Sequence, residues 1–389
     1  MAVDQPLKDK KVMIVAGESS GDLHGSNLLK SAAKDYPHLK FFGVGGERMR
    51  ATGCEIIFPS DDLSVMGLVE VFGQLPRLFA RFRQLKQLMQ GKQRPDLLVL
   101  IDFPDFNLRL AKVAKNLGVP VLYYISPKVW AWRKGRAKII AERVDRIALI
   151  FPFEPEIYRP FGLQADYVGN PLLDEFVANE PEGTLRSQLN VSARDKIVGI
   201  FPGSRQSEIK YIFPTLLETA RKLAELKPQV KFLLPVAPSL SFEYFDREIA
   251  ASGLPVTVVN ENIYEVAAAC DAVLTVSGTV TLQIALAGTP MVILYKVSPL
   301  SYEIGRRLIN VDHVGLPNIV AGKTVVRELL QNDATPERLC RETIRILDDA
   351  AYRQDLLDGL SLVQKKMGEP GCSERVARIV AELVAQRGK

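Results

Sequence analysis

Along this chain the apolar residues come in short unbroken runs, with polar residues at helical spacing between them. Val12–Ala16, Phe41–Val44, Leu97–Ile101, Val119–Tyr124 and Ile147–Ile150 are such runs, and Leu23–Lys34 and Leu108–Leu117 read as helices. Runs that do not alternate suit strands buried on both faces, and strands separated by helices pair in parallel. The first half therefore predicts a doubly wound α/β unit. After Val168-Gly169-Asn170-Pro171 the pattern breaks into a polar, punctuated stretch that reaches about Lys196. Then KIVGIFPGSRQSEI, Lys196 to Ile209, restarts it, and Lys231–Pro235, Val256–Val259, Ala272–Val276 and Met291–Leu294 supply further strands.

The prediction is α/β: two tandem Rossmann-like domains, 1–172 and 173–389, with the active site in the cleft between them. The charged tail after about Asp349 is free to pack on either domain, and the final helix, about 360–389, is drawn back onto the first. A chain of 389 residues is long enough for two such cores. Its 47% hydrophobic and 24% charged content is that of a globular protein. A net charge of +5 suits an anionic ligand or membrane surface without calling for nucleic acid. Four scattered cysteines and three histidines give neither a CxxC pair nor metal-ligand spacing, so no metal and no cofactor is expected. Scattered thiols also favour a reducing compartment. The N-terminal segment lacks the apolar core of a signal peptide, and no run of 18 apolar residues is present.

Three loops at predicted strand ends carry chemistry. FPGSRQSEI turns tightly at Gly203-Ser204 and offers amides and the fixed cation of Arg205 to an anion. AVLTVSGTVTLQIALAGTPMVIL delivers Ser277-Gly278-Thr279 to the start of an apolar helix. Two such loops in one domain describe a diphosphate held without a metal. The third loop, GESSGD, has the same shape but places Glu18 where a phosphate would rest. GVGGER lacks the last glycine of a dinucleotide fingerprint and follows the second strand instead of the first, which argues against a dehydrogenase.

PGSRQSEI, SGTVTLQIALAGTPMV, IDFPDFN, SPKVWAWR, GESSGD and GLPNIVAG stand in the order in which they occur in lipid-A-disaccharide synthases, and the chain resembles that family over essentially its whole length. The resemblance implies a GT-B glycosyltransferase. It implies inverting transfer of 2,3-diacylglucosamine from its UDP derivative to 2,3-diacylglucosamine 1-phosphate in lipopolysaccharide biosynthesis. Rivals are another GT-B enzyme of UDP-sugars, such as a peptidoglycan glycosyltransferase or an epimerase, and a UDP-sugar-binding protein without turnover.

Such a transfer needs a base for the acceptor hydroxyl and stabilisation of the departing UDP. Asp102, at the end of a buried strand, sits in a partly apolar setting that would raise its pKa. Asp105 fits the role of cap for a helix starting near Asn107. The resemblance carries catalytic importance onto Asp102, Glu18, Arg205 and Asn318, and leaves Asp102 and Glu18 as alternatives for the base. Donor contacts fall on Gly203, Ser204, Arg205, Glu208, Ser277, Gly278, Thr279 and Gln283. Ser19, Ser20 and the Gly21 amide face the acceptor sugar. Gln283 stands where GT-B donor sites commonly carry a ribose-gripping glutamate, and Asn170 stands where histidine is expected after Val-Gly.

LSVMGLVEVFGQLPRLFARFRQLKQLMQ, Leu63 to Gln90, interleaves large apolar residues with cations. An in-plane amphipathic helix would put Leu68, Val69, Val71, Phe72, Leu75 and Leu78 against lipid, with Arg77, Arg81, Arg83 and Lys86 toward anionic headgroups. Acylated substrates supply the reason, since each buried CH₂ contributes roughly 0.8 kcal/mol and free substrate would be scarce in water. The expected location is the cytoplasmic face of the bacterial inner membrane, with part of the protein in the cytoplasm. A homodimer is compatible with this reading.

Overall fold

A computed structural model describes residues 8–63, 70–131, 135–192, 195–237, 240, 242–297, 302 and 312–386, and only the backbone of 70–75 and 206–208. The chain forms two compact units, Met1–Pro171 with Glu369–Lys389, and Leu172–Gly368. The first contains β1 (Lys10–Ala16), β2 (Leu39–Gly45), β3 (Glu55–Pro59), β4 (Leu97–Ile101), β5 (Val121–Tyr124), β6 (Arg146–Leu149) and β7 (Gln164–Tyr167). These strands lie in the order β3-β2-β1-β4-β5-β6-β7 with every pairing parallel.

The second unit contains β8 (Lys196–Phe201), β9 (Val230–Pro235), β10 (Val256–Val259), β11 (Ala272–Val276), β12 (Met291–Tyr295) and β13 (Arg327–Leu330). Its order is β10-β9-β8-β11-β12-β13, again parallel throughout. Both units are therefore doubly wound, as the apolar runs predicted. β1 and β4 are adjacent at the point where the first sheet reverses its winding, and β8 and β11 hold that place in the second. Open α/β sheets bind ligands at the carboxyl ends of the strands flanking such a point.

The pattern did not predict β3, β7 and β13. Each is a short edge strand with mostly half-exposed side chains; QADY and RELL lack the apolar run that marks a central strand, and β3 offers only the brief Ile56-Ile57-Phe58. Two helices also begin earlier than expected, at Ser19 and at Pro104.

The first sheet is covered on one face by the helices Ser19–Asp35 and Cys372–Ala385. Cys372, Val376, Ala377, Ile379, Val380, Leu383 and Val384 are buried against β1 and β4 residues such as Ile14, Leu97 and Val99. At roughly 1.5–3 kcal/mol for each large apolar side chain, that face is worth on the order of 10 kcal/mol before chain entropy. Polar ties fix its ends. Arg375 donates to the carbonyls of Val168, Glu369 and Pro370, each at 2.8 Å. Arg146 bridges Asp166 at 2.7 Å and Glu382 at 2.6 Å.

Candidate active site

In the first unit Ala16 pairs with Ile101, so the loops after β1 and β4 leave the sheet side by side. The β4 loop takes an unusual course. Asp102 and Phe103 both have positive φ, 43° and 48°, a region that costs residues with a Cβ about 1 kcal/mol or more each. Three side-chain bonds hold it there. Asn107, fully buried, donates Nδ2 to the carbonyls of Ile101 (3.2 Å) and Asp102 (2.8 Å), and the Tyr123 hydroxyl donates to Asp102 O at 2.5 Å. Gly17 makes room for the turn. A Cβ there would lie 2.4 Å from Cδ1 of the Phe103 ring.

The strained turn places the Asp102 carboxyl where water is scarce. Burial, and secondly the negative charge of Glu18, push its pKa up to about 6, while the Phe103 amide and the Lys128 charge pull the other way. Glu18 itself is exposed, as are Ser19 and Ser20, and Gly21 is buried beside Ala16 and Ile101. Asp22 of the same motif is structural. Its carboxylate accepts from the amides of Gly46 (2.6 Å), Arg48 (3.2 Å) and Met49 (3.1 Å), capping the Glu47–Ala51 helix. Asp105 does not cap, contrary to expectation. The helix already begins at Pro104, so Asp105 lies in its first turn, and its exposed carboxylate pairs with Arg136 at 2.5 Å.

The loops after β5 and β6 form a wall along the same sheet edge. Trp130 packs edge-on against Phe153 (5.5 Å) and Phe151 (6.3 Å), and Ser126 shares a 2.6 Å hydrogen bond with the Tyr158 hydroxyl. Beneath them lies Glu154, 1% exposed and accepting from the Phe151 amide at 3.0 Å; burial pushes its carboxyl up to about 8. Trp132 lies outside the described residues.

In the second unit Phe201 pairs with Thr275, so the loops after β8 and β11 also emerge together. Gly203 has φ 91°, and a Cβ there would meet Val276 Cγ2 at 2.9 Å, which restricts the position to glycine. Ser204 and Arg205 are exposed, and Arg205 is the N-cap of the Gln206–Leu226 helix. The Glu208 side chain lies outside the described residues.

The β11 loop carries Ser277, Gly278 and Thr279 into the seven-residue Val280–Leu286 helix. The Ser277 hydroxyl donates to Val314 O at 2.7 Å, which ties this loop to the segment before Asn318. Asn318 is fully buried and bonded on every side. Its Oδ1 accepts from the Val325 (2.7 Å) and Val326 (2.9 Å) amides, and its Nδ2 donates to Glu328 Oε1 at 2.6 Å. Glu328 in turn accepts from the Val314 and Gly315 amides. The structure therefore gives Asn318 the geometry of a positioning residue. Gln283, one turn into the short helix, donates Nε2 to Glu175 Oε1 at 3.1 Å.

Sequence reasoning did not single out Asn107, Tyr123, Glu154, Glu175 or Glu328. Asn107 stands in the quoted IDFPDFN motif, which was the one available signal. Tyr123 and Glu175 act through neighbours distant in the chain, and Glu154 and Glu328 stand in no quoted motif.

Comparison with known proteins supplies the identity that geometry leaves open. The family model for lipid-A-disaccharide synthetase matches residues 12–378. The lipid-A-disaccharide synthase of Syntrophotalea carbinolica is 55% identical, covering 98% of this chain and 96% of its own. That of Geobacter metallireducens is 50% identical, covering 97% and 98%. The chain belongs to the lipid-A-disaccharide synthase family. Members of this family are glycosyltransferases of lipid A biosynthesis, and so is this chain; membership implies a nucleotide-sugar donor and a lipid acceptor.

Solved structures agree on the fold. A UDP-N-acetylglucosamine 2-epimerase from Listeria monocytogenes, described as putative, superposes with TM-score 0.64 at 13% identity, covering 95% of each chain. Anabaena HepE, solved with UDP and glucose, gives TM-score 0.53 at 16% identity, covering 97% of this chain and 100% of its own. At such identities the likeness establishes the GT-B architecture alone.

Within the Glu70–Gln90 helix the membrane-facing prediction is only partly visible. Leu68 and Val69 lie outside the described residues, as do the side chains of Val71, Phe72 and Leu75. Leu78 is half-buried against the core of its own unit, whereas Phe79, 64% exposed, stands clear. Arg77 and Arg81 both pair with the buried Asp62, so two of the four predicted headgroup cations already have a carboxylate partner. No described helix is long and apolar enough to cross a membrane.

Proposed function

We propose that this synthase transfers 2,3-diacylglucosamine from its UDP derivative to 2,3-diacylglucosamine 1-phosphate, with inversion at the anomeric carbon and release of UDP. The acceptor belongs to the first unit and the donor to the second. One observation carries the reading: Asp102, held in a strained turn beside Glu18, has a carboxyl pushed up to about 6, close to the value that suits a general base near neutral pH.

Ionised Asp102 takes the proton of the acceptor hydroxyl as that oxygen bonds to the anomeric carbon of the donor. The bond from that carbon to the β-phosphate oxygen breaks, and UDP leaves with the electron pair. Arg205 and the amides of the loops at Gly203–Ser204 and Ser277–Thr279 stabilise the charge that develops on the diphosphate. No cofactor is needed for this displacement. Glu18 raises the basicity of Asp102 and, with Ser19, Ser20 and the Gly21 amide, orients the acceptor sugar.

The acyl chains place the work at the cytoplasmic face of the inner membrane. The Glu70–Gln90 helix and the residues before it form the contact with the anionic surface. Mass spectrometry of the protein with both acylated glucosamines should show a tetra-acyl disaccharide 1-phosphate. Its absence, with both substrates intact, would reject the reaction.

A further inference from the structure

Glu175 lies on the Pro171–Ala178 helix, well away in sequence from either phosphate loop, yet its carboxylate receives the Gln283 amide at 3.1 Å. The fully buried Tyr264 completes the cluster. Its ring packs edge-on against Phe176 (5.2 Å, 74°), and its hydroxyl lies against Glu175 and Gln283. A half-buried carboxylate is costly to maintain, and burial indeed raises its pKa, with the Gln283 and Tyr264 hydrogen bonds opposing that rise. Gln283 is four helical steps on from Thr279, about 6 Å along a helix at 1.5 Å per residue. That is roughly the reach from a diphosphate on the Ser277–Thr279 loop to the sugar hydroxyls of its nucleoside.

A vicinal diol offers two O–H donors side by side, and a carboxylate oxygen accepts each more strongly than a neutral amide oxygen does. Position 283 carries only the amide. With its Nε2 turned to Glu175, the Gln283 amide directs its oxygen away from that contact and leaves the negative charge of the pair on Glu175. We propose that Glu175 is the anionic acceptor for the ribose diol of UDP, supplied from the Pro171–Ala178 helix and oriented by Gln283 and Tyr264. This rests on the assignment of the donor to the second unit.

The test is calorimetry with UDP and 2′-deoxy-UDP on the wild type, Glu175→Gln, and the transposed double variant Glu175→Ala/Gln283→Glu. The wild type should prefer UDP by about tenfold. Glu175→Gln should weaken UDP about tenfold, leave 2′-deoxy-UDP nearly unchanged and so erase the preference; the transposed variant should restore it. Equal weakening of both nucleotides, or unchanged UDP binding, would show a helix-to-helix clasp and overturn the role of Glu175. If Glu175→Gln fails to fold, the transposed variant decides, because it keeps one carboxylate in the pair. Failure of wild-type protein to bind UDP would instead reject the donor assignment itself.

Discussion

The two units place their loop pairs at the same point of the same topology, yet furnish them with opposite chemistry. After β1 and β4 the first unit presents two carboxyls, Glu18 and Asp102, with consecutive residues of positive φ. After β8 and β11 the second presents glycine, serine, threonine and one arginine. Winding decides where a ligand sits; the loop residues decide its charge. A carboxylate pair repels a diphosphate and suits proton abstraction. A glycine- and serine-rich turn beside a guanidinium does the reverse. The constraint on glycine differs as well. Gly17 is required by the Phe103 ring packed against it, whereas Gly203 is required by its own φ of 91° and by Val276.

The sharpest way to break this contrast is Asp102→Asn. Turnover should fall about 10³-fold or more while UDP affinity stays at the wild-type value, as measured by single-turnover kinetics and calorimetry. Retained turnover would remove the base from the first unit. Arg205→Ala should do the opposite, weakening UDP by about 10²-fold with acceptor binding untouched. Gly17→Ala comes next. Displacing Phe103 shifts the Asp102 turn, and kcat should drop on the order of tenfold to 10²-fold without a matching change in UDP affinity.

A pH series gives a smaller but sign-definite effect. On the proposed assignment Asp102 works ionised, so kcat/KM should fall toward tenfold per pH unit below about 6. For folding the sign is reversed. The native carboxyl titrates at about 6 against an ordinary 3.8, so the native state binds more protons between those values. This group's contribution to stability therefore declines as pH rises from about 4 to 6. Chemical denaturation of Asp102→Asn should lack that decline. Smallest of all, Phe79→Ser should reduce flotation with anionic vesicles by a few-fold and leave turnover of detergent-dispersed substrate unchanged. Unchanged flotation would show that the exposed ring does not enter the lipid surface.

Central strands were legible in the sequence because burial on both faces forces an unbroken apolar run, as in LLVLI of β4. Edge strands such as QADY of β7 carry no such run. The loop residues were legible as polar, glycine-containing or acidic stretches directly after apolar runs, and at Gly203 backbone geometry also restricts the residue type. The supports were not. Asn107 and Tyr123 hold Asp102 through its main-chain carbonyl, and Glu328 anchors Asn318 from an edge strand. Asn107 at least stands in the same motif as Asp102, but nothing local marks Tyr123, which reaches that carbonyl from the neighbouring strand 21 residues on. Asp105 illustrates the converse: its local sequence suited a cap, but the helix starts one residue ahead of it.

The Cys372–Ala385 helix has a consequence for biosynthesis. Its apolar face closes the core over β1 and β4, yet the whole second unit precedes it in the chain. At about 5–20 residues per second, the ribosome spends roughly 10–40 s on that unit while the apolar surface over Ile14, Leu97 and Val99 waits uncovered. During that interval the nascent first unit is an obvious client for a chaperone. Its last structural component arrives only after its neighbour has been made.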